Sequence, residues 1–184
     1  SKTLIYSAEA LHFAQSGEIF GFAAADAKAD LAAMQRRKRE VIAEFAEYRQ
    51  GQLESDRFTL FQQKARFRDE GSIELTDGTI LVADAFLVAT GSVGASPQVP
   101  GLAQTSFWTS DEVLELDELP KSVITLGGGV VACELAQFLA RVGTKVTLIQ
   151  RSPHILKEFS EEASLCIEQA FRDEGIEVFT DTQL

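Results

Sequence analysis

The chain has 184 residues, which leaves room for one domain or two small ones. Its 45% hydrophobic and 24% charged content is that of a globular protein able to bury a sizeable core. A net charge of −11 leaves too little basic excess to neutralise phosphates, which excludes a nucleic-acid surface. No apolar run approaches membrane-spanning length, so no membrane association is expected. The first residues do not read as a signal peptide, so none is expected. The two cysteines, Cys133 and Cys166, lack metal-ligand and CxxC spacing, so no metal site is expected. Both read as buried thiols of a reducing compartment, which makes the expected location cytoplasmic.

In chain order, Ser1–Thr3 leads into a helix whose inner face is Leu4, Ala8 and Leu11, with His12 near its end as a surface or capping residue. Phe20 to Ala25 is a small-residue connection. Asp26 to Gln50 reads as one long amphipathic helix closed by Gly51. Leu31, Met34, Val41, Ile42, Phe45 and Tyr48 form its stripe. Its basic run Arg36–Arg39 reads as a solvated face balanced by Glu40, Glu44 and Glu47, with an anion site as the alternative.

Phe58 to Phe67 reads as a strand. Ser72–Thr76 and Thr79–Val82 flank Asp77-Gly78, a hairpin signal. Phe86 to Ser92 reads as a buried strand stopping at a glycine. Gly94, Pro97, Pro100 and Gly101 form a linker-like stretch, and Thr109 with Glu112 offers a capping box for a short helix. A domain boundary falls between Ser92 and Pro120, which divides the chain into residues 1–118 and 119–184.

The stretch from Val123 to Glu134 organises the remainder. Val123 to Leu126 is apolar and β-branched, as in a buried parallel strand. Gly127, Gly129 and Ala132 then fit G-x-G-x-x-A. Leu135, Phe138, Leu139 and Val142 repeat at helical spacing up to Gly143, and Lys145 to Gln150 is a second strand. Strand, glycine turn, helix and strand together form a dinucleotide-binding βαβ unit. Gly127 permits the tight turn, Gly129 lets a pyrophosphate approach the backbone, and Ala132 lets helix and strand pack closely. The helix N-terminus offers unpaired N–H groups to the phosphates. The plain alternative is a glycine-rich turn that binds nothing. A helix from Ser160 to Gly175 and a strand from Ile176 to Phe179 extend the unit to a right-handed βαβαβ over Ser122–Thr180.

These residues resemble the FAD-dependent pyridine nucleotide-disulfide oxidoreductases, the group of dihydrolipoamide dehydrogenase, glutathione reductase and mercuric reductase. Ser1–Ile5 is similar to the segment after the family's redox-active CxxxxC-x-P. Ala89-Thr90-Gly91-Ser92 resembles its ATG motif beside the flavin dinucleotide. Pro100-Gly101-Leu102 and Thr109-Ser110-Asp111 resemble the stretch between its nucleotide domains, and Gly127–Glu134 its NAD(P) fingerprint. The implied fold is α/β, with Rossmann-like FAD- and NAD(P)-binding domains, both incomplete, and a β-meander and long helix in the first part. Residues 1–118 would be the later part of the FAD domain, and 119–184 the first half of the NAD(P) domain.

The resemblance implies roles. Lys2 matches a lysine that pairs with a glutamate near the flavin N5, and Glu134 matches that glutamate; as a buried pair they would avoid a large desolvation cost. Thr90 and Gly91 would adjoin FAD. Val130 stands where many relatives carry a tyrosine over the flavin, and a small residue there is more similar to mercuric reductases. The run from Phe138 through Arg151 to Gln183 is also most similar to that subgroup, although mercuric reductases often lack the full glycine cluster. The second strand ends in neutral Gln150 rather than the acid that holds a ribose in NAD-binding domains. Arg151 and Lys157 match positions that meet the 2′-phosphate in NADPH-dependent relatives. Two charge-assisted hydrogen bonds of roughly 1.5–3 kcal/mol each would favour NADPH over NADH by roughly a hundredfold or more. Solvated loop charges are the alternative.

The redox cysteine pair, both FAD fingerprints and the C-terminal dimerisation domain are not in the chain, which also lacks an initial methionine. The expectation is an internal piece of a homodimeric flavoenzyme that passes electrons from NAD(P)H through FAD and a redox disulfide to a disulfide or small-molecule substrate, most like mercuric reductase. Dihydrolipoamide dehydrogenase and a nonenzymatic nucleotide-binding fragment are the alternatives.

Overall fold

A computed structural model describes residues 1–22, 24, 26–94 and 99–183. Ala23 and Ala25 of the small-residue connection and Pro97 of the linker-like stretch lie outside the described residues. The chain forms two compact units, Ser1–Ile42 with Ser96–Leu184, and Ala43–Ala95.

In the first unit, α1 (Lys2–Gln15) buries Leu4 and Ala8 of the expected face, with Leu11 half-buried. A 3₁₀ turn (Gly17–Phe20) follows. Helix α2 (Leu31–Leu53) begins in this unit and runs into the other. It starts later than expected, because Asp30 caps it through the Ala33 N–H, and it continues through Gly51.

The inward face of α2 also differs from the expected stripe. Gln35 and Lys38 are buried, whereas Ile42, Phe45 and Tyr48 are exposed. Lys38, only 2% exposed, donates to the Leu114 carbonyl and pairs with Glu115, and Gln35 donates to the carbonyls of Leu114 and Leu116. Lys38 is therefore not part of a solvated basic face. Its counter-charge comes from far along the chain rather than from Glu40, Glu44 or Glu47.

The Leu114 carbonyl that Lys38 meets ends α3 (Ser110–Leu114), whose N-terminus carries the expected capping box: the Thr109 N–H donates to Glu112, and the Asp111 N–H to the Thr109 hydroxyl. A parallel sheet then runs β4 (Ser122–Leu126), β5 (Lys145–Ile149), β6 (Glu177–Phe179) in spatial order β4-β5-β6. Helix α4 (Val130–Arg141) joins β4 to β5, and α5 (Glu161–Asp173) joins β5 to β6. One sheet face buries Val146 and Leu148 against Leu135, Ala136, Phe138 and Leu139 of α4 and Phe171 of α5, and α1 adds Leu4 and Ala8 to the same core. Burial of such apolar groups at about 25 cal/mol per Å² is the main force holding the layers together.

At the far end of this unit Arg141 makes a two-pronged pair with Glu174, at 2.7 and 2.6 Å, and Gln137 adds a 2.8 Å hydrogen bond. Burial pushes the Glu174 carboxyl upward, but the Arg141 and Gln137 contacts outweigh it and hold the group below its ordinary value.

The second unit holds an antiparallel meander, β1 (Ala65–Asp69), β2 (Ser72–Leu75) and β3 (Ile80–Val82). The Asp77-Gly78 turn between β2 and β3 forms as expected. Gly78 takes φ 87°, and the Asp77 carboxylate accepts from the Thr79 N–H.

Two strand expectations fail here. Residues 58–64 are outside the sheet, and pairing starts only at Ala65. Phe86–Ser92 is not a strand, and Leu87 is 95% exposed. The Phe86 ring meets Phe67 of β1 edge-on at 5.2 Å, but among the described residues the segment joins no sheet, and an unpaired strand leaves its backbone groups without partners.

Candidate functional site

The turn between β4 and α4 is built by three glycines with three different constraints. Gly127 sits at φ 106°, a conformation that side chains disfavour, and its N–H donates to the Ile149 carbonyl, tying the turn to β5. Gly128 is sterically required: a Cβ there would lie 2.8 Å from the Ile155 Cγ2 and 3.1 Å from its Cα. Gly129 has no protein atom within 4 Å of where a Cβ would stand, so nothing in the fold demands a glycine there. The space beside it is open to a ligand. Gly128 was not singled out from the sequence, since its constraint comes from a loop that folds back from far along the chain.

Helix α4 starts without a side-chain cap and with no acid in its first turn. Its first amides are left without intrahelical partners, and their partial positive charge is not offset. Cys133, in the next turn, is buried. Burial, with the nearby Glu168 carboxylate adding to it, pushes its thiol up to about 11, so it stays protonated near neutral pH. Cys166, expected to be buried, is exposed on α5.

The loop 150–160 passes over the glycine turn. Gln150 is buried at the end of β5, and its side-chain oxygen accepts from the Arg151 N–H. The Leu156 N–H donates to the Gly128 carbonyl at 2.6 Å. Together these elements enclose a cleft of about 260 Å³ lined by Gly127–Val130, Gln150–Ser152 and Leu156–Phe159. The structure thus brings Gly127, Gly129, Val130, Arg151 and Lys157 to one place. Arg151 and Lys157 are exposed, and Lys157 lies 3.5 Å from Glu158. Ala132 lies in the first turn of α4 and does not line the cleft.

Lys2 and Glu134 meet at 2.5 Å. The Lys2 side chain is 83% exposed and that of Glu134 28%, so this pair is not the buried one expected, and solvent screens its worth to about 1 kcal/mol or less. Thr90 and Gly91 belong to the other unit, where both are exposed and Gly91 takes φ 77°.

The family profile described as pyridine nucleotide-disulphide oxidoreductase matches residues 1–184. The chain belongs to this family. As a pyridine nucleotide-disulphide oxidoreductase it is 33% identical to a mercuric reductase of Bacillus cereus over 181 residues, covering 98% of this chain and 28% of the relative. It is 37% identical to a mercuric reductase of Streptomyces lividans over 198 residues, covering 100% of this chain and 40% of the relative. Among solved structures, the Cu(II) complex of the HOCl-induced flavoprotein disulfide reductase RclA of Escherichia coli superposes with a TM-score of 0.80 at 22% identity, over 100% of this chain and 38% of that one. That likeness shows a shared fold. This family member spans well under half the length of these relatives. Among its described residues no helix is long and apolar enough to cross a membrane.

Proposed function

We propose that this chain supplies the pyridine-nucleotide site, and part of the flavin surroundings, of a disulfide oxidoreductase most similar to mercuric reductases. The observation that carries the reading is the cleft at the uncapped start of α4, with open space beside Gly129 and two basic side chains on its rim.

The fit to a dinucleotide is chemical. Free amides of α4 suit a diphosphate, and Gly129 lets it approach the backbone. Gln150 brings no carboxylate to repel a 2′-phosphate, and Arg151 and Lys157 can pair with one. We therefore assign NADPH over NADH. Val130 borders the same cleft and leaves it unblocked.

The chemistry that bound nucleotide and FAD supply is hydride delivery followed by electron passage to a redox disulfide and a disulfide or small-molecule acceptor. Lys2 and Glu134 would hold their charges beside the flavin, with Thr90 and Gly91 against its dinucleotide part. Residues 1–118 belong on this reading to the FAD-binding domain and 119–184 to the NAD(P)-binding domain of a cytoplasmic homodimer.

Arg151→Ala tests the nucleotide assignment. Measured as the ratio of NADPH to NADH affinity, selectivity should fall at least tenfold, as expected for loss of one charge-assisted hydrogen bond. An unchanged ratio would end the NADPH assignment, and a chain that prefers NADH from the outset would favour dihydrolipoamide dehydrogenase. The exposure of Thr90 and Gly91 favours a second reading, nucleotide binding without redox catalysis. Flavin absorbance of the purified protein, bleached by NADPH, decides for the enzyme; colourless protein decides for the second reading.

A further inference from the structure

The loop that carries Arg151 and Lys157 is held in an unusual backbone conformation. Leu156, on the cleft wall, takes φ 51°, a left-handed conformation that costs a branched residue free energy unless its surroundings impose it. Two hydrogen bonds impose it. One is the Leu156 N–H to Gly128 bond already described. The other runs from the Ile155 N–H to the Glu168 carboxylate at 3.1 Å.

Glu168 lies on α5 and is 3% exposed, rare for a carboxylate. Its second oxygen accepts from Arg172 at 3.3 Å. The His154 Nδ1 stands 3.6 Å from its first oxygen, and the His154 Nε2 3.4 Å from Glu161. Ile155 is fully buried between Glu168 and the backbone of Gly128. A buried carboxylate accepting a backbone N–H is a strong, geometrically exacting contact.

We propose that Glu168 is a positioning residue for 2′-phosphate recognition: it fixes Ile155 and the left-handed Leu156, and through them the loop that presents Arg151 and Lys157 to the nucleotide. This rests on the reading of the cleft as the nucleotide site. Glu168 touches no ligand on this account; it acts through the loop backbone. Gly127 is tied to β5 by its own hydrogen bond, so the glycine turn does not depend on Glu168 alone.

The test measures binding of adenosine 2′,5′-bisphosphate and of 5′-AMP to the full chain by calorimetry. Loss of folding weakens both ligands together, so the ratio of the two affinities isolates positioning. Glu168→Ala should lower that ratio about tenfold, and Glu168→Gln, which keeps an acceptor for the Ile155 N–H, about threefold. If the alanine variant does not fold, the glutamine variant carries the measurement. Ratios within twofold of wild type in every folded variant would overturn the proposal. A wild-type chain that binds both ligands equally would instead overturn the reading of the cleft, and the proposal with it.

Discussion

Helices α4 and α5 follow neighbouring strands of one parallel sheet, yet their N-termini are finished in opposite ways. At α5 the Ser160 hydroxyl accepts from the Ala163 N–H, and Glu161 and Glu162 occupy the first turn. The protein closes that end with its own oxygens and negative charge. At α4 the N-cap is Gly129, without a side-chain bond and without acids. The two caps have similar backbones, φ −77°, ψ 172° at Gly129 and φ −68°, ψ 152° at Ser160. Backbone geometry therefore does not explain the difference. It lies in the side chains, and it leaves one helix end available to an anion from outside.

Substitutions can break this comparison, and they rank by expected effect on stability. Gly128→Ala should cost the most, about 3 kcal/mol, because the added methyl meets the backbone of a buried Ile155 whose N–H is held by Glu168. A denaturant midpoint unchanged from wild type would show that the loop yields.

Arg141→Gln should cost about 2 kcal/mol by removing charge-assisted bonds to Glu174 at the opposite end of the same helix pair. Because the Glu174 carboxyl titrates below its ordinary value of 4.5, its contribution is complete above that pH and fades as pH falls through the lowered value. Denaturation at a series of pH values should therefore show a shallower acid limb in Arg141→Gln. Parallel curves for variant and wild type would contradict the pairing.

Ser160→Ala should cost about 1 kcal/mol and leave nucleotide affinity within twofold, since the α5 cap faces no ligand on this account. A large loss of affinity would blur the distinction between the two helix ends.

How far the sequence could be read follows from what each residue depends on. The βαβαβ unit was legible because its strands are apolar runs and its helices keep an apolar face at a period of 3.6, both local signals. The Thr109 capping box and the Asp77-Gly78 turn were legible for the same reason. Helix α2 was recognised as a helix, but its inward face was not. Lys38 and Gln35 turn inward to reach the carbonyls of Leu114 and Leu116, partners that no period in the sequence announces. Phe86–Ser92 has the composition of a buried strand but pairs with no strand among the described residues, and pairing is a property of the sheet rather than of the segment. In the candidate site, Gly127 and Gly129 were read from their spacing, and Arg151 and Lys157 from the family resemblance; all four line one cleft. Gly128 and Glu168 were missed because both answer to one loop conformation centred on Leu156.

The contrast between the two helix ends can be erased with one residue. Gly129→Ser would give α4 the cap that Ser160 gives α5, at a position whose backbone already suits it and whose surroundings have room. The account expects the variant to gain a few tenths of a kcal/mol in stability, about 0.5 kcal/mol, and to bind NADPH at least tenfold more weakly in calorimetry, because the new side chain takes the amides and the space meant for the diphosphate. A variant that gains stability and binds NADPH as tightly as wild type would contradict it.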